Sequence, residues 1–140
     1  MAFGFSLGAR DPSSRARRGA LQTRRGVVQT PVFMPVGTRA TVTGVSPDEL
    51  QAMGAPILLA NTYHLLLRPG PELFRRVGGI HQFMRWPGPV LTDSGGYQIF
   101  SLPGERTLSE GGARFRSYVD GRIHQLTPES SIEMQTAIGS

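Results

Sequence analysis

The residues best suited to chemistry stand together at Asp93-Ser94-Gly95-Gly96-Tyr97, directly after the apolar run Pro89-Val90-Leu91-Thr92. Asp93 falls at the carboxyl end of a short predicted strand, which is where ligands sit in α/β architectures. A carboxylate can accept two hydrogen bonds side by side, a pattern that suits the ring N–H and exocyclic amine of a guanine, and it can relay a proton to or from a leaving base. Gly95 and Gly96 let backbone approach a flat ligand closely, and Tyr97 offers a stacking face. The same residue types also build a helix cap or a strand-end turn. On residue types alone both readings stand.

The elements that must position this group are read from pattern. Pro56-Ile57-Leu58-Leu59-Ala60 is a second short apolar run, typical of a strand buried on both faces. It ends in Asn61-Thr62-Tyr63-His64, so polar groups again collect at a strand's carboxyl end, with His64 read as hydrogen-bonded scaffolding. Ser46-Pro47-Asp48-Glu49 predicts a capped helix start, with Gly54 placed to end that helix. Pro71 to Val77 predicts a helix stopped by Gly78-Gly79, and His81 to Trp86 a further helical turn with Phe83, Met84 and Trp86 packed inward. A loop is expected from Ile99 to Gly112, carrying Pro103 and Gly104. Residues 115–126 then predict a β-hairpin turning tightly at Asp120-Gly121. Thr127-Pro128 starts a last helix, with Ile132, Ala137 and Ile138 toward the core.

Residues 1–44 read as a β-rich segment: Phe3, Phe5 and Leu7 alternate as a half-buried strand would, and strands follow at 15–22 and 27–30, linked near Gly26. Pro31 to Thr38 is a proline-bracketed extended segment. Residues 45–140 read as alternating helices and buried strands, the pattern of α/β units with a parallel sheet. A complete (β/α)8 barrel takes about 250 residues, so this chain is expected to hold only part of one, a single incomplete domain.

Composition narrows the class. The chain has 140 residues, 39% hydrophobic, enough for one modest core. All fifteen basic residues are arginine and the net charge is +5, compatible with a nucleic-acid partner but also with a compositional preference for arginine over lysine. Arg15, Arg17, Arg18, Arg24 and Arg25 cluster in the first segment, as a solvated strand face or a phosphate-contacting patch. There is no cysteine, hence neither a disulfide framework nor a thiolate metal site within these residues, and the three histidines are too scattered for a zinc site by spacing. No apolar run reaches membrane-span length and no signal peptide precedes the first strand, so a soluble cytoplasmic protein is expected.

A set of motifs, in order, is more specific than any of these: Phe33-Met34-Pro35-Val36-Gly37-Thr38, Asn61-Thr62-Tyr63-His64-Leu65, Leu67-Arg68-Pro69-Gly70, Leu91-Thr92-Asp93-Ser94-Gly95-Gly96-Tyr97-Gln98 and Phe100-Ser101-Leu102. Asp120-Gly121 and Leu126-Thr127-Pro128-Glu129-Ser130 follow the same pattern. Together they resemble the amino-terminal part of the tRNA-guanine transglycosylases of bacterial type. Ala60 departs from the resemblance, since the family usually has glycine before Asn-Thr-Tyr/Phe-His.

The resemblance implies a modified (β/α)8 barrel preceded by a small antiparallel β subdomain. It implies an enzyme, a pentosyltransferase that exchanges the wobble guanine of a tRNA anticodon for the 7-deazaguanine preQ1, or for queuine in eukaryotic members, in queuosine biosynthesis. The implied reaction is a double displacement through a covalent enzyme–RNA intermediate. Under it Asp93 is the proton acceptor and base-binding carboxylate, Ser94, Gly95, Gly96 and Tyr97 bind substrate, and Asn61 lies on the ribose side. The nucleophilic aspartate and the ligands of a structural zinc belong to sequence beyond these residues, so the isolated chain is expected to be inactive. Partners implied are tRNA, guanine, preQ1 and a second copy of the full-length protein. Two other classes remain: a non-catalytic tRNA-binding partner subunit of a transglycosylase, and an unrelated β/α nucleotide-binding domain.

Overall fold

A computed structural model describes residues 3–102 and 104–140; Met1, Ala2 and Pro103, the last of them expected in a loop, lie outside the described residues. The fold is mixed α/β. The first strands, β1 (Gly4–Arg10), β2 (Arg17–Thr23) and β3 (Gly26–Thr30), form an antiparallel sheet in sequential order. Phe5 stands opposite Leu21, and Leu21 opposite Val28, so these three share a face. Burial on that face falls from Val28 at 1% exposed to Phe5 at 57% exposed. The expected half-buried alternation of Phe3, Phe5 and Leu7 is therefore not realised: β1 is an edge strand, and among the described residues no further layer covers it. The Phe5 ring lies over Gly19 instead, where an added Cβ would sit 2.5 Å from a ring atom.

The chain then runs extended and joins the buried strand β4 (Leu58–Ala60) in parallel. Val36 bridges Leu59, with the Gly37 N–H donating to the Leu59 carbonyl at 2.7 Å and the Leu59 N–H to the Pro35 carbonyl at 3.0 Å. On its other side β4 pairs in parallel with β5 (Val90–Thr92), matching Leu58 with Val90 and Ala60 with Thr92. Three parallel segments thus present their carboxyl ends together.

Local sequence accounts for most of the helices around them. The helix α1 (Pro47–Ala52) has the expected capping box: the Glu49 N–H donates to Ser46 Oγ and the Ser46 N–H to Glu49 Oε2, both within the first turn. Helix α2 (Thr62–Leu67) was not expected from pattern. Helices α3 (Pro71–Val77) and α4 (Ile80–Met84) follow as predicted, α3 ending at the left-handed Gly78. Met84 and Trp86 are buried, whereas Phe83 is 40% exposed, its ring set edge-on to the buried Phe74.

The expected loop at 99–112 is replaced by helix α5 (Gly96–Ser101) and strand β6 (Arg106–Ser109). Strand β6 pairs antiparallel with β7 (Gly112–Arg116), and β7 with β8 (Ile123–Leu126). The hairpin exists, but its tight Asp120-Gly121 turn does not. Residues 117–122 form a wider loop, closed where the Ser117 N–H donates to the Arg122 carbonyl at 2.7 Å and the Gly121 N–H to the Ser117 carbonyl at 2.9 Å. Ser117 is buried and its Oγ accepts from the Val119 N–H at 3.1 Å, so a side chain takes over the bonding a two-residue turn would have given the ladder.

The last helix, α6 (Pro128–Ile138), is capped by Thr127 and buries Met134 and Ile138, but Ile132 is exposed. At helical spacing, Ser131, Met134 and Ile138 define the inner face and leave Ile132 outside it. One core gathers Leu50, Leu58, Leu65, Phe74, Ile80, Trp86, Val90, Met134 and Ile138; a smaller one holds Tyr63, Ile99, Phe115 and Leu126 beneath the β6–β8 sheet. Among the described residues no helix is long and apolar enough to cross a membrane.

Candidate active site

The parallel register of β4 and β5 sets Asn61 and Asp93 side by side at the carboxyl ends of the two strands. Asn61 Nδ2 donates to Asp93 Oδ2 at 2.6 Å. The Thr62 N–H donates to Asp93 Oδ1 at 2.9 Å, and the Gly95 N–H donates to the same oxygen at 3.1 Å. Thr62 Oγ1 closes the arrangement by donating to the Asp93 carbonyl at 2.5 Å. Asp93 is therefore both an acid at a strand end and the cap of a helix: α2 has no side-chain cap of its own, and the carboxylate from β5 accepts its first N–H. The structural reading of the Asp93 sequence, a helix cap and strand-end turn, is realised in this group.

Three donors already meet the carboxylate, which offers about four lone-pair sites. Oδ1 is engaged twice and Oδ2 once, so one position on Oδ2 is open. Presenting both oxygens to the edge of a guanine requires the carboxylate to turn away from Thr62 and Gly95. Asn61 is the donor whose removal tests how firmly the group is held. Asn61→Ala is expected to cost about 1 kcal/mol by losing a charge-assisted bond at a half-exposed position, measured by urea denaturation, with α2 still formed because the Thr62 contact remains.

The remaining predicted residues lie next to this pair. Gly95 is buried with φ +81°, a conformation that only glycine adopts without strain, and it packs against the Tyr63 backbone. Gly96 opens α5, and Tyr97, 73% exposed, presents an uncovered ring on its first turn. Ser94 is exposed; its carbonyl is held by Ser131 Oγ of α6 at 2.7 Å. All six sequence-predicted residues, Asn61, Asp93, Ser94, Gly95, Gly96 and Tyr97, thus gather at one end of the parallel segments. A cavity of about 510 Å³ lies behind the Ser94–Gly96 turn, between α5, α6 and the β6–β8 sheet, lined by apolar groups such as Ile99, Leu108 and Leu126. Asp93 is not part of its lining, so this is not the carboxylate's pocket.

Sequence reasoning missed Thr62, whose backbone and side chain both hold Asp93. It read His64 as scaffolding, and His64 Nδ1 is indeed hydrogen-bonded, to Tyr118 Oη at 2.8 Å, tying α2 to the β7–β8 loop. Burial first and then the charge of Arg39 push the His64 pKa below its ordinary value, against an opposing pull from Asp93, so the imidazole is neutral at pH 7. Among the described residues no three of His, Cys, Asp or Glu come together to hold a metal ion.

The family model described as queuine tRNA-ribosyltransferase matches residues 11–140. The queuine tRNA-ribosyltransferase of Symbiobacterium thermophilum is 54% identical over 140 residues, covering the whole chain and 35% of that protein. Those of Desulforudis audaxviator and Dichelobacter nodosus are 56% and 61% identical over 97% and 90% of the chain, and over 37% and 34% of their own lengths. The chain spans a little over a third of the relatives it matches. With the match running through both strand ends and the Asp93 turn, the chain belongs to the queuine tRNA-ribosyltransferase family.

Proposed function

We propose that this chain supplies the base-recognising, proton-accepting half of a tRNA-guanine transglycosylase site. The observation that carries the reading is the Asp93 carboxylate, oriented by Asn61, Thr62 and Gly95 at the end of a parallel strand, in a chain of this family. In the proposed reaction the anticodon wobble guanine of a tRNA leaves its ribose and a 7-deazaguanine, preQ1, takes its place by double displacement through a covalent enzyme–RNA intermediate. Asp93 turns from its backbone donors to the base edge, accepts a base N–H, takes up the proton released as the incoming base bonds to ribose, and gives that proton to the guanine that leaves in the next turnover. Tyr97 stacks on the base, Gly95 and Gly96 let it lie against backbone, and Asn61, released from Oδ2, faces the ribose. The nucleophile and a structural zinc are assigned to residues other than these.

On this reading β4 and β5 are among the first strands of a (β/α)8 barrel whose first units occupy residues 45–140, with residues 1–44, including the antiparallel β1–β3 sheet, as the preceding β-rich segment. The working enzyme is a cytoplasmic homodimer. Incubation with tRNA and labelled guanine tests the assignment. A version of the chain extended to the length of its relatives is expected to incorporate label, and the 140-residue chain alone is expected to incorporate none. Incorporation by the chain alone would refute the division of the site.

A further inference from the structure

The net positive charge of this protein is confined to the segment that forms one small sheet and its turns. Arg10, Arg15, Arg17, Arg18, Arg24 and Arg25 stand against the single acid Asp11 in residues 1–30, a net +5 that equals the charge of the whole chain; residues 31–140 hold nine arginines and nine carboxylates. All six of these arginines are exposed. The ion pairs among the described residues involve Arg75, Arg116 and Arg122, all elsewhere. Asp11, the one local carboxylate, is tied into its own turn by the Ser13 N–H and Ser13 Oγ, both at 2.7 Å.

The arrangement is costly as it stands. Arg10 and Arg17 are directly opposite each other across the β1–β2 ladder, and like charges at such positions repel. With Arg15 from the intervening turn they line a shallow cavity of about 400 Å³, completed by Asp11, Ser14 and Ala16. Three guanidinium groups around one concavity, unpaired with any carboxylate, suit closely spaced anionic oxygens on a flexible chain.

We propose that the β1–β2 end of this sheet binds the phosphodiester backbone of RNA, a contact separate from the base site and resting on the reading of tRNA as substrate. Each arginine there neutralises a phosphate and releases counterions. The surface therefore contributes affinity and salt dependence without sequence preference.

Binding of fluorescently labelled tRNA to the 140-residue chain, followed by anisotropy between about 50 and 200 mM salt, tests this. The triple variant R10Q/R15Q/R17Q is expected to lower the slope of log affinity against log salt by about 2 to 3, at about 0.7 to 0.9 per lost contact. The triple lysine variant keeps the charges and is expected to retain most of the slope. Guanine exchange is measured separately in the extended protein, where Asp93→Asn is expected to remove it, so loss of base exchange and loss of this contact are distinguished. A glutamine variant with the wild-type slope, a lysine variant that loses the slope as fully as the glutamine one, or a wild-type chain that does not bind tRNA would each overturn the proposal. Relief of the Arg10–Arg17 repulsion predicts that the glutamine variant melts no lower than wild type. Should it fail to fold, R15Q alone, in the exposed turn, is expected to lower the slope by about 1, and an unchanged slope there would count against the proposal.

Discussion

Asp93→Asn is expected to cut guanine exchange into tRNA by about 10²- to 10⁴-fold in the extended protein, while leaving the fold intact. The geometry explains why the two effects separate. The amide oxygen of the substituted side chain can occupy the place of Oδ1 and accept from the Thr62 and Gly95 N–H groups as the carboxylate does. Its amide nitrogen then faces Asn61, which can turn its own amide to present oxygen in place of the present Nδ2 donor. Each hydrogen bond has a replacement, so circular dichroism and the melting temperature should change little. What has no replacement is the acceptor for a base proton. Asp93→Ala should lose exchange equally but should also loosen α2, because the cap on the Thr62 N–H goes with the carboxylate.

Gly95→Ala is expected to destabilise the chain by about 2–4 kcal/mol, measured by chemical denaturation. At φ +81° a side chain is strained before any neighbour is considered. The added Cβ would also lie 2.8 Å from the Tyr63 nitrogen and 3.2 Å from its Cα, and backbone inside a helix cannot swing aside as a flexible side chain would. The clash pushes the start of α5 away from α2, the direction that stretches the Asp93–Thr62 hydrogen bond. Exchange should therefore fall along with stability. Gly96→Ala is the contrasting case. It has no positive φ, and its nearest neighbour is Ser94 Oγ at 3.5 Å, so its effect on stability should stay within about 0.5 kcal/mol.

These two positions mark how far the sequence could be read. Features made by neighbours in the chain were legible: the Ser46–Glu49 capping box, the Pro71 helix ending at Gly78, the paired strands around Gly26, and the clustering of polar residues after β4 and β5. Features made across the chain were not. Helix α2 escaped notice because its cap, Asp93, arrives from 31 positions downstream, and nothing local to Thr62 announces it. Strand β6 lies in a polar, glycine-rich stretch and is a strand because β7 pairs with it. The Asp120-Gly121 turn failed for the complementary reason, since Ser117 supplies a closing side chain that outcompetes the two-residue turn. Phe5 and Ile132 show that an apolar residue at the right period is buried only if another layer reaches it.

Within the candidate site, the grouping of these residues was legible and their engagement was not. The motif around Asp93 singles out the carboxylate, the glycines and the tyrosine, yet it does not reveal that the carboxylate already holds three donors. That occupancy makes Asn61 and Thr62 part of how Asp93 works. Their bonds fix the acid in place, and in the proposed reaction they must yield to the base.

In the proposed reaction Asp93 is the acceptor on which base exchange depends, with Asn61 orienting it. Initial rates of labelled-guanine incorporation into tRNA, measured side by side for wild type, Asn61→Ala and Asp93→Asn in the extended protein, test it most directly. The predicted order is wild type first, Asn61→Ala reduced but clearly active, and Asp93→Asn lower by a factor of at least about 10². An Asp93→Asn protein that incorporates guanine at the wild-type rate would contradict the account.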